Sequence, residues 1–278
     1  MTYTLTVSDG HGGTDTQTLT VAVTGTADGI TLAPVYTGDD DPNNFDGANA
    51  LVAGTTLFTG TNGDDIPLNG DNAANTIRAL DGNDTVNAGG QGDTVYGGSG
   101  NDTINGGADG DDLYGQAGDD IIHGDSQNDE IWGGSGNDQI FGDQNDDQTL
   151  WGGSGTDNIQ GGNNDDRIAG GFGGDTLAGG TGNDDFVYLD VRDRGDTITG
   201  FEVGTDDIDL SAIDANSTIA GNQAFAFGVT TATSFGVWYQ QVSGNTIVYA
   251  DTDGDVTTAE LWMTLTGTLT LTGGDFIP

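Results

Sequence analysis

The stretch Gly97-Gly98-Ser99-Gly100-Asn101-Asp102-Thr103-Ile104-Asn105 decides the fold of this chain, because it is one copy of a nine-residue unit that recurs from residue 60 to about residue 187. The unit occurs fourteen times, and the two copies at residues 60–69 and 142–151 each carry one extra residue before the phase resumes. Biased composition alone does not keep a phase over this length. The period therefore identifies a structural repeat.

Position six of the unit is acidic in every copy except one, where Asn75 stands instead. The acidic residues at this position are Asp65, Asp84, Asp93, Asp102, Asp111, Asp120, Asp129, Asp138, Asp147, Asp157, Asp166, Asp175 and Asp184. Acidic chains with few aromatic residues are often disordered. Here the acids are aspartates at a fixed spacing rather than blocks of glutamate, which indicates ligands for cations.

Position eight carries a large apolar side chain, namely Ile77, Val86, Val95, Ile104, Leu113, Ile122, Ile131, Ile140, Ile159, Ile168, Leu177 and Phe186. The glycine-rich positions one to six favour a tight turn, and positions seven to nine favour a short strand. A turn and a strand in alternation wind a flattened coil with two units per revolution. The sequence therefore predicts an all-β protein built on a parallel β-roll, a β-solenoid of nonapeptide repeats.

The composition narrows the classes of partner. The chain has 278 residues, no lysine, four arginines and a formal net charge of −41, so its surface repels nucleic acid and anionic lipid. It has no cysteine, which excludes disulfides and thiolate metal sites, and no apolar run long enough for a transmembrane helix. We therefore expect cations as partners, with no nucleic acid and no transmembrane segment.

Calcium is the cation that this repeat favours. Calcium takes six to eight oxygen ligands in flexible geometry, and a turn rich in backbone carbonyls with one aspartate supplies such ligands. Magnesium requires a stricter octahedron, and zinc prefers nitrogen or sulfur, for which the chain offers only two histidines. The array carries about one large apolar side chain per nine residues. We therefore expect metal binding and folding to be coupled, with the array unfolded in the absence of calcium.

The nonapeptide array resembles the RTX (repeats-in-toxin) parallel β-roll, and the resemblance covers nearly half of the chain. It implies several calcium ions between successive turns, held by the aspartate at position six and by carbonyls at positions one to four. The glycines carried over as site residues are Gly97, Gly98, Gly100, Gly115, Gly118, Gly133, Gly134, Gly136, Gly152, Gly153, Gly155, Gly170, Gly171, Gly173, Gly179, Gly180 and Gly182.

A second resemblance lies after the array. Residues 195–214, which run from Gly195-Asp196-Thr197-Ile198 to Ser211-Ala212-Ile213-Asp214, are similar to the segment that follows the β-roll in serralysin-type metalloproteases and related secreted proteins. Residues 251–255, 260–261, 265–267 and 275–278 extend the likeness. It implies export by a type I secretion machinery and an extracellular or cell-surface location. Gly200 and Val256 depart from the family pattern, and this puts a calcium site in the loop 251–255 in doubt.

The ends of the chain differ from the array. Residues 3–7 and 17–23 alternate apolar and polar residues around a glycine-rich turn, which predicts a β-hairpin. The hairpin resembles the last one of cadherin-like repeats in large bacterial adhesins, and the first 25 residues lack the pattern of a secretory signal. We therefore expect a fragment of a longer protein. The predicted domains are 1–27 (terminal hairpin), 28–59 (linker and N-terminal cap), 60–187 (β-roll) and 188–278 (β-rich C-terminal cap and secretion domain).

Three functions remain open from the sequence. The first is a non-enzymatic, calcium-dependent folding and secretion module at the C-terminus of a secreted or surface RTX protein of the adhesin or surface-layer type. The second is the non-catalytic tail of a secreted metalloprotease or other hydrolase. The third is a polysaccharide-binding module, whose partner would be a cell-surface glycan or a protein. Close carboxylate pairs are expected by chance among so many aspartates, so they do not by themselves indicate a glycosidase.

Two further patterns distinguish the two sides of the predicted roll. Position four is glycine on one side (Gly63, Gly82, Gly100, Gly118, Gly136, Gly155 and Gly173) and mostly another residue on the other (Ala73, Gln91, Asp109, Gln127, Asn145, Asn164 and Gly182). Only glycine adopts positive φ freely, so we expect the all-glycine side to hold the more regular row of ions. Position nine should face outward, where Tyr96, Tyr114, Trp132 and Trp151 form an aromatic stripe. We favour a structural role for this stripe over a ligand surface.

Overall fold

The computed structural model of the chain describes residues 3–8, 14–19, 57–65, 67–143, 149–216 and 219–278. The chain divides into two compact units, Met1–Ala33 and Pro34–Pro278. In the first unit, strands β1 (Tyr3–Ser8) and β2 (Thr14–Leu19) pair in antiparallel fashion, which confirms that these segments form a hairpin. The second strand begins at Thr14 rather than Gln17, and residues 20–23 lie outside the described residues.

The solenoid has one short strand for each repeat unit and one more, β3, just before the first unit. These strands are β3 (Leu57–Thr59), β4 (Leu68–Asn69), β5 (Thr76–Asp81), β6 (Thr85–Gly90), β7 (Thr94–Ser99), β8 (Thr103–Ala108), β9 (Asp112–Ala117), β10 (Ile121–Asp125), β11 (Glu130–Ser135), β12 (Gln139–Phe141), β13 (Thr149–Gly155), β14 (Asn158–Asn163), β15 (Arg167–Gly173), β16 (Thr176–Thr181) and β17 (Asp185–Val187). In the nine-residue units each strand starts at position seven, where the glycine-rich turn gives way to β-forming residues.

Odd-numbered strands β3 to β17 lie in one parallel sheet, and even-numbered strands β4 to β16 lie in another. The register is fixed by the repeat length, because two nonapeptides make one coil. Ile104 on β8 therefore pairs with Ile122 on β10, eighteen residues later. The result is an all-β parallel β-solenoid of about eight turns, which confirms the predicted fold class.

The core of the solenoid is a column of position-eight side chains from both sheets. Every predicted member from Ile77 to Phe186 is buried, and Leu68 and Leu150 of the two longer units join the same cluster. The aspartate at position six and the residue at position one face inward with them, since side chains two apart on a strand share a face.

The segment after the repeats is rich in β-strands, as its composition predicts. Its elements are β18 (Thr197–Thr199), β19 (Asp207–Asp209), β20 (Ala226–Phe227), β21 (Gly236–Val242), β22 (Asn245–Ala250), β23 (Leu261–Leu265), a 3₁₀ helix (Gly273–Asp275) and β24 (Phe276–Ile277). Strands β18 and β23 extend one sheet of the solenoid in parallel, and β19 and β24 extend the other.

The last coil of the solenoid is covered by this C-terminal segment. Phe201, Ile208, Leu210 and Phe225 are buried in the same apolar cluster as the repeats, and the ring of Phe201 lies 6.0 Å from that of Phe186. Sheet edges that would otherwise expose unpaired backbone groups are thus paired with further strands. None of the helices in the described part of the chain has the length and hydrophobicity that crossing a bilayer requires.

Candidate metal centre

The aspartates at position six stand between the turn and the strand of each unit, with their carboxylates inside the solenoid. Those at 65, 84, 93, 102, 111, 120, 129, 138, 157, 166, 175 and 184 are all buried, as is Asn75, and none is more than 5 % exposed. Asp147 lies outside the described residues. Buried carboxylates require partners, because removing a charge from water is costly.

From Asp84 onward, one carboxylate oxygen of most of these aspartates forms a ladder that joins successive coils. Asp102 Oδ1 accepts a hydrogen bond from the backbone N–H of Asp84 at 2.8 Å, and Asp120 Oδ1 accepts one from Asp102 at 2.8 Å. On the opposite side, Asp111 Oδ1 accepts from Asp93 at 2.7 Å. These bonds fix the direction of every carboxylate relative to the next turn.

Asp65 Oδ2 accepts a hydrogen bond from the N–H of Thr61 at 2.7 Å. In most of the other aspartates the second carboxylate oxygen is buried and accepts no hydrogen bond among the described residues. This holds for Oδ2 of Asp84, Asp93, Asp102, Asp111, Asp120, Asp138, Asp157, Asp175, Asp184 and Asp196. Leaving a buried charged acceptor unsatisfied is strongly unfavourable. Because an unsatisfied Oδ2 recurs from coil to coil, we expect the same kind of bound group beside each of these oxygens.

Glycine at position one leaves the space that such a group needs. A Cβ placed on Gly97 would meet Asp102 Oδ2, and it would lie 2.8 Å from the carbonyl oxygen of Gly115 on the next coil. The space beside Asp102 Oδ2 is therefore lined by a carboxylate and by a backbone carbonyl, whereas Ala79 and Ala88 stand at position one in the units of Asp84 and Asp93. These all-oxygen donors suit calcium.

Burial makes the carboxylates hard to ionise when no cation is near. Burial raises the pKa of Asp102 to about 6, and burial together with neighbouring carboxylates raises the pKa of Asp120 to about 7 and that of Asp129 to about 8. Bound cations would reverse this effect by stabilising the charged form.

Comparison with known proteins agrees with this chemistry. The RTX calcium-binding nonapeptide repeat (4 copies) family matches residues 59–95, 69–104, 88–122, 114–148 and 151–186. The chain contains an RTX calcium-binding β-roll. Such repeats bind multiple calcium ions, and the RTX roll of this chain has the buried oxygens to do so.

Curated protein sequences and solved structures provide two other comparisons. No curated protein sequence matches the chain. Among solved structures, the chain is similar to a solution structure of the AlgE6R3 subunit from the Azotobacter vinelandii mannuronan C5-epimerase. Identity is 25 %, the TM-score is 0.33, and the likeness covers 59 % of this chain and 78 % of that one.

The two rows of turns in the RTX roll differ at position four. We name Gly82, Gly100, Gly118, Gly136 and Gly155 the glycine row; their φ angles lie between 117° and 142°. We name Gln91, Asp109, Gln127 and Asn164 the mixed row; their φ angles lie between 67° and 78°. The sequence predicted two unequal sides, and φ at position four differs between these two sets, although Gly182 on the mixed side has a φ of 146°, as in the glycine row. The predicted difference in ion content stays a prediction.

Sequence reasoning missed two members of the aspartate ladder. Asp196 Oδ1 accepts from the N–H of Asp175 at 2.9 Å, and Asp206 Oδ1 accepts from that of Asp184 at 3.2 Å. Both residues are buried and lie beyond the last repeat. The available signal was an aspartate two residues before a buried isoleucine, Ile198 or Ile208, which is the spacing of positions six and eight.

The loop 251–255 brings Asp251, Asp253 and Glu260 together, but its carboxylates have backbone donors. Asp251 accepts from the N–H groups of Phe235 and Gly254 at 2.8 and 3.1 Å, and Glu260 accepts from that of Thr252 at 2.8 Å. These bonds close the loop on itself. An acidic turn between two strands accounts for it.

The aromatic stripe forms a ladder of stacked rings. The ring centroids of Tyr96 and Tyr114 are 5.0 Å apart, and those of Tyr114 and Trp132 are 4.6 Å apart. In both pairs the ring planes are nearly parallel. The guanidinium of Arg78 lies over the Tyr96 ring at 5.6 Å. Both faces of Tyr114 are thus occupied by neighbours, which favours the structural role expected from the sequence.

Proposed function

We propose that this chain is a non-catalytic, calcium-dependent folding and secretion module at the C-terminus of a secreted or cell-surface RTX protein, of the adhesin or surface-layer type. The observation that carries the proposal is the double column of buried position-six aspartates, in which Oδ2 of Asp84, Asp93, Asp102, Asp111, Asp120, Asp138, Asp157, Asp175 and Asp184 accepts no hydrogen bond among the described residues. Without cations these columns oppose folding, and with cations they bind one coil to the next.

In this proposal the ions lie between successive turns. Their ligands are Oδ2 of the position-six aspartates and carbonyl oxygens of the glycine-rich turns, including Gly97 and Gly115. When bound, calcium supplies the positive charge that the buried carboxylates lack. The chain itself orients the carboxylates through the Oδ1 ladder, and it keeps room beside most of them through glycine at position one.

Calcium-coupled folding suits export of an unfolded chain. Extracellular calcium modules bind in the range of about 10⁻⁴–10⁻³ M, so the roll would stay unfolded in the cytosol and fold outside the cell. The similarity of residues 195–214 to the segment after serralysin β-rolls supports type I secretion. The cadherin-like hairpin supports a surface protein as the parent. The alternative parent is a secreted metalloprotease or other hydrolase, of which this would be the tail.

Far-UV circular dichroism of the whole chain tests the proposal. We expect an unfolded spectrum in EGTA and a β spectrum in millimolar calcium, with a cooperative transition between them. Magnesium at the same concentration and ionic strength is the control, and it should not restore the β spectrum. A full β spectrum in EGTA would contradict the proposal.

The C-terminal segment, residues 188–278, is proposed to cap the roll. Support comes from the four strands that extend its two sheets and from the shared apolar cluster. Deleting the segment should raise the calcium concentration needed for folding as well as abolish export. A truncated chain that folds at the original calcium concentration would remove the cap role.

A glycan or protein ligand is the second candidate, and one feature favours it. Beside the ladder, Trp132, Trp151, Ala169, Phe172 and Leu189 line an apolar recess. Phe172 and Leu189 are each 47 % exposed there. Trp151→Ala tests the recess, with Tyr114→Ala as the control within the stack. Binding to glycan arrays or cells that falls only in Trp151→Ala, with calcium-induced folding intact, supports a ligand. Unchanged binding in both variants contradicts it.

A further inference from the structure

Besides the repeat sites and the loop 251–255, an acidic cluster lies where the roll meets the C-terminal segment. One carboxylate oxygen from each of Asp175, Asp193 and Asp196 lies within 4.8 Å of the others. All three residues are buried, at 1, 3 and 0 % exposure. Asp175 and Asp196 belong to the position-six ladder, but Asp193 does not. It reaches the ladder from the connection that follows the last repeat.

One oxygen of each aspartate in this cluster has no hydrogen-bond partner among the described residues. Asp175 Oδ2, Asp193 Oδ1 and Asp196 Oδ2 accept no hydrogen bond, and the Tyr188 hydroxyl makes none either. Tyr188 is 1 % exposed, and its hydroxyl lies near Asp196; burial and the charges of Asp196 and Asp193 raise its pKa. A buried phenol that lies beside Asp196 without hydrogen-bond geometry marks, together with the three carboxylates, a space for a further group.

The nearby arginines do not neutralise the cluster. Arg192 forms its ion pair with the exposed Asp190 at 2.7 Å, and Arg194 donates to the carbonyl oxygen of Glu260 at 3.2 Å. The three buried carboxylates repel one another at this spacing, and a cation bound from solution would relieve that repulsion.

We propose that Asp175, Asp193 and Asp196 hold a calcium ion at the junction of the roll and the C-terminal segment. The proposal rests on the calcium-dependent fold proposed above, but its chemistry differs from that of the repeat sites. Here a residue outside the repeat adds a carboxylate to the ladder. Ligands on opposite sides of one calcium ion lie about 4.6–5.2 Å apart, so oxygens up to 4.8 Å apart fit one coordination shell.

At this position the ion would hold two parts of the protein together. The backbone oxygen of Asp196 accepts from the N–H of Thr264 at 2.7 Å, and the N–H of Gly195 donates to the oxygen of Trp262 at 2.8 Å. The same segment thus holds strand β23 of the C-terminal region and, through Asp175, the last coils of the roll. We expect loss of the ion to weaken this junction first.

The test is Asp193→Asn in the whole chain, with Asp190→Asn as the matched exposed control. At saturating calcium, native mass spectrometry counts the bound ions and a thermal melt measures stability. We expect Asp193→Asn to carry one ion fewer than wild type and to melt at a lower temperature, while Asp190→Asn keeps the full count. If no ion binds here, the neutral amide relieves repulsion. Asp193→Asn would then melt higher with an unchanged count, which would overturn the proposal.

A second variant, Asp193→Glu, keeps the charge. It should retain the ion count, and it decides the case if Asp193→Asn does not fold. Folding of the Glu variant alone shows that charge is required and supports the site; equal failure of both shows that only shape matters and overturns it. A wild-type chain that folds without calcium and carries no ions would refute the proposed function itself. A wild-type chain that folds with calcium, beside an Asn variant with the full ion count, refutes only this junction site.

Discussion

The glycine row and the mixed row carry the same inner ladder on different turns. In both rows Oδ1 of an aspartate accepts from the backbone of the preceding coil, at 2.8 Å for Asp102 and 2.7 Å for Asp111. Their position-four residues nevertheless differ, with φ above 110° in the glycine row and near 70° in the mixed row. Side chains tolerate the second conformation at moderate cost and the first hardly at all.

The rows also differ on their outer surface. In the glycine row, position five forms a second ladder, in which Asn83 Oδ1 accepts from the N–H of Asn101 at 2.7 Å and Asn101 Oδ1 from that of Asp119 at 2.9 Å. In the mixed row, Gly92 and Gly110 stand at position five and interrupt such a ladder. The comparison teaches that the buried carboxylates are constant, whereas the turns that present them are not.

The largest expected effect is that of pH on calcium-dependent folding, and it should act through the carboxylates of both rows. The carboxylates have raised pKa values of about 6 at Asp102, 7 at Asp120 and 7 at Asp111. Calcium needs the ionised form, so lowering the pH from 8 to 5.5 should raise the calcium concentration at half-folding by about tenfold or more. Calcium titrations followed by circular dichroism at each pH check this. A midpoint independent of pH would contradict the assignment of these carboxylates as ligands.

Without calcium the sign of the pH effect should reverse. A carboxyl whose folded-state pKa is raised binds more protons in the folded chain than in the unfolded one. Each such carboxyl therefore contributes fully to the stability of the folded chain below about pH 4. This contribution is lost as the pH rises through about 6–7. In EGTA, acidification toward pH 4 should increase β structure. A decrease would show that other groups control folding in acid.

A substitution at position four should distinguish the rows most clearly. Gly118→Ala introduces a Cβ that overlaps the carbonyl of Gly100 at a φ of 132°, and we expect a loss of about 3 kcal/mol or more. Gln91→Ala, at a φ of 68°, already accommodates a Cβ and should cost less than about 1 kcal/mol. Chemical denaturation at saturating calcium measures both. Equal losses would mean that the two turn conformations make no energetic difference.

Loss of one ladder charge should have the next largest effect. Asp120→Asn keeps an amide oxygen for the ladder but removes the charge at Oδ2, and it should cost about 2–3 kcal/mol at saturating calcium. The exposed neighbour Asp119→Asn is the control, with a change within about 0.5 kcal/mol. Asp111→Asn, in the mixed row, should cost less than Asp120→Asn if the glycine row is the better-ordered calcium row. The same cost in both rows would show equal binding on the two sides.

The smallest expected effect concerns the outer ladder. Asn101→Gly imitates the mixed row, and loss of this exposed acceptor should cost about 0.5–1 kcal/mol. The reverse exchange, Gly110→Asn, should not stabilise the mixed row, because a Cβ at Gly110 would meet the carbonyl oxygen of Asn128. Thermal melts of both variants check this. A stabilised Gly110→Asn variant would show that the two rows can be interchanged.

The sequence predicted the fold and the columns of position-six aspartates from periodicity. A constant nine-residue spacing has one simple parallel solution, in which Ile104 stacks on Ile122 and Asp102 on Asp120. The sequence did not predict where the ladder ends. Asp196 and Asp206 continue it after the period has stopped, and only the pairing of β18 and β19 with the repeat strands places them there. The junction cluster depends on the same pairing.

By itself, the sequence determined the period, the buried column and the carboxylate columns, because each depends only on spacing along the chain. Only the tertiary structure decided that the faces of Tyr114 are covered and that Asp193 joins Asp175. Both depend on how distant segments pack across coils. It also separated two turn conformations that share one inner ladder. Local spacing fixes which groups recur, whereas contacts between coils fix which of their atoms remain free for a ligand.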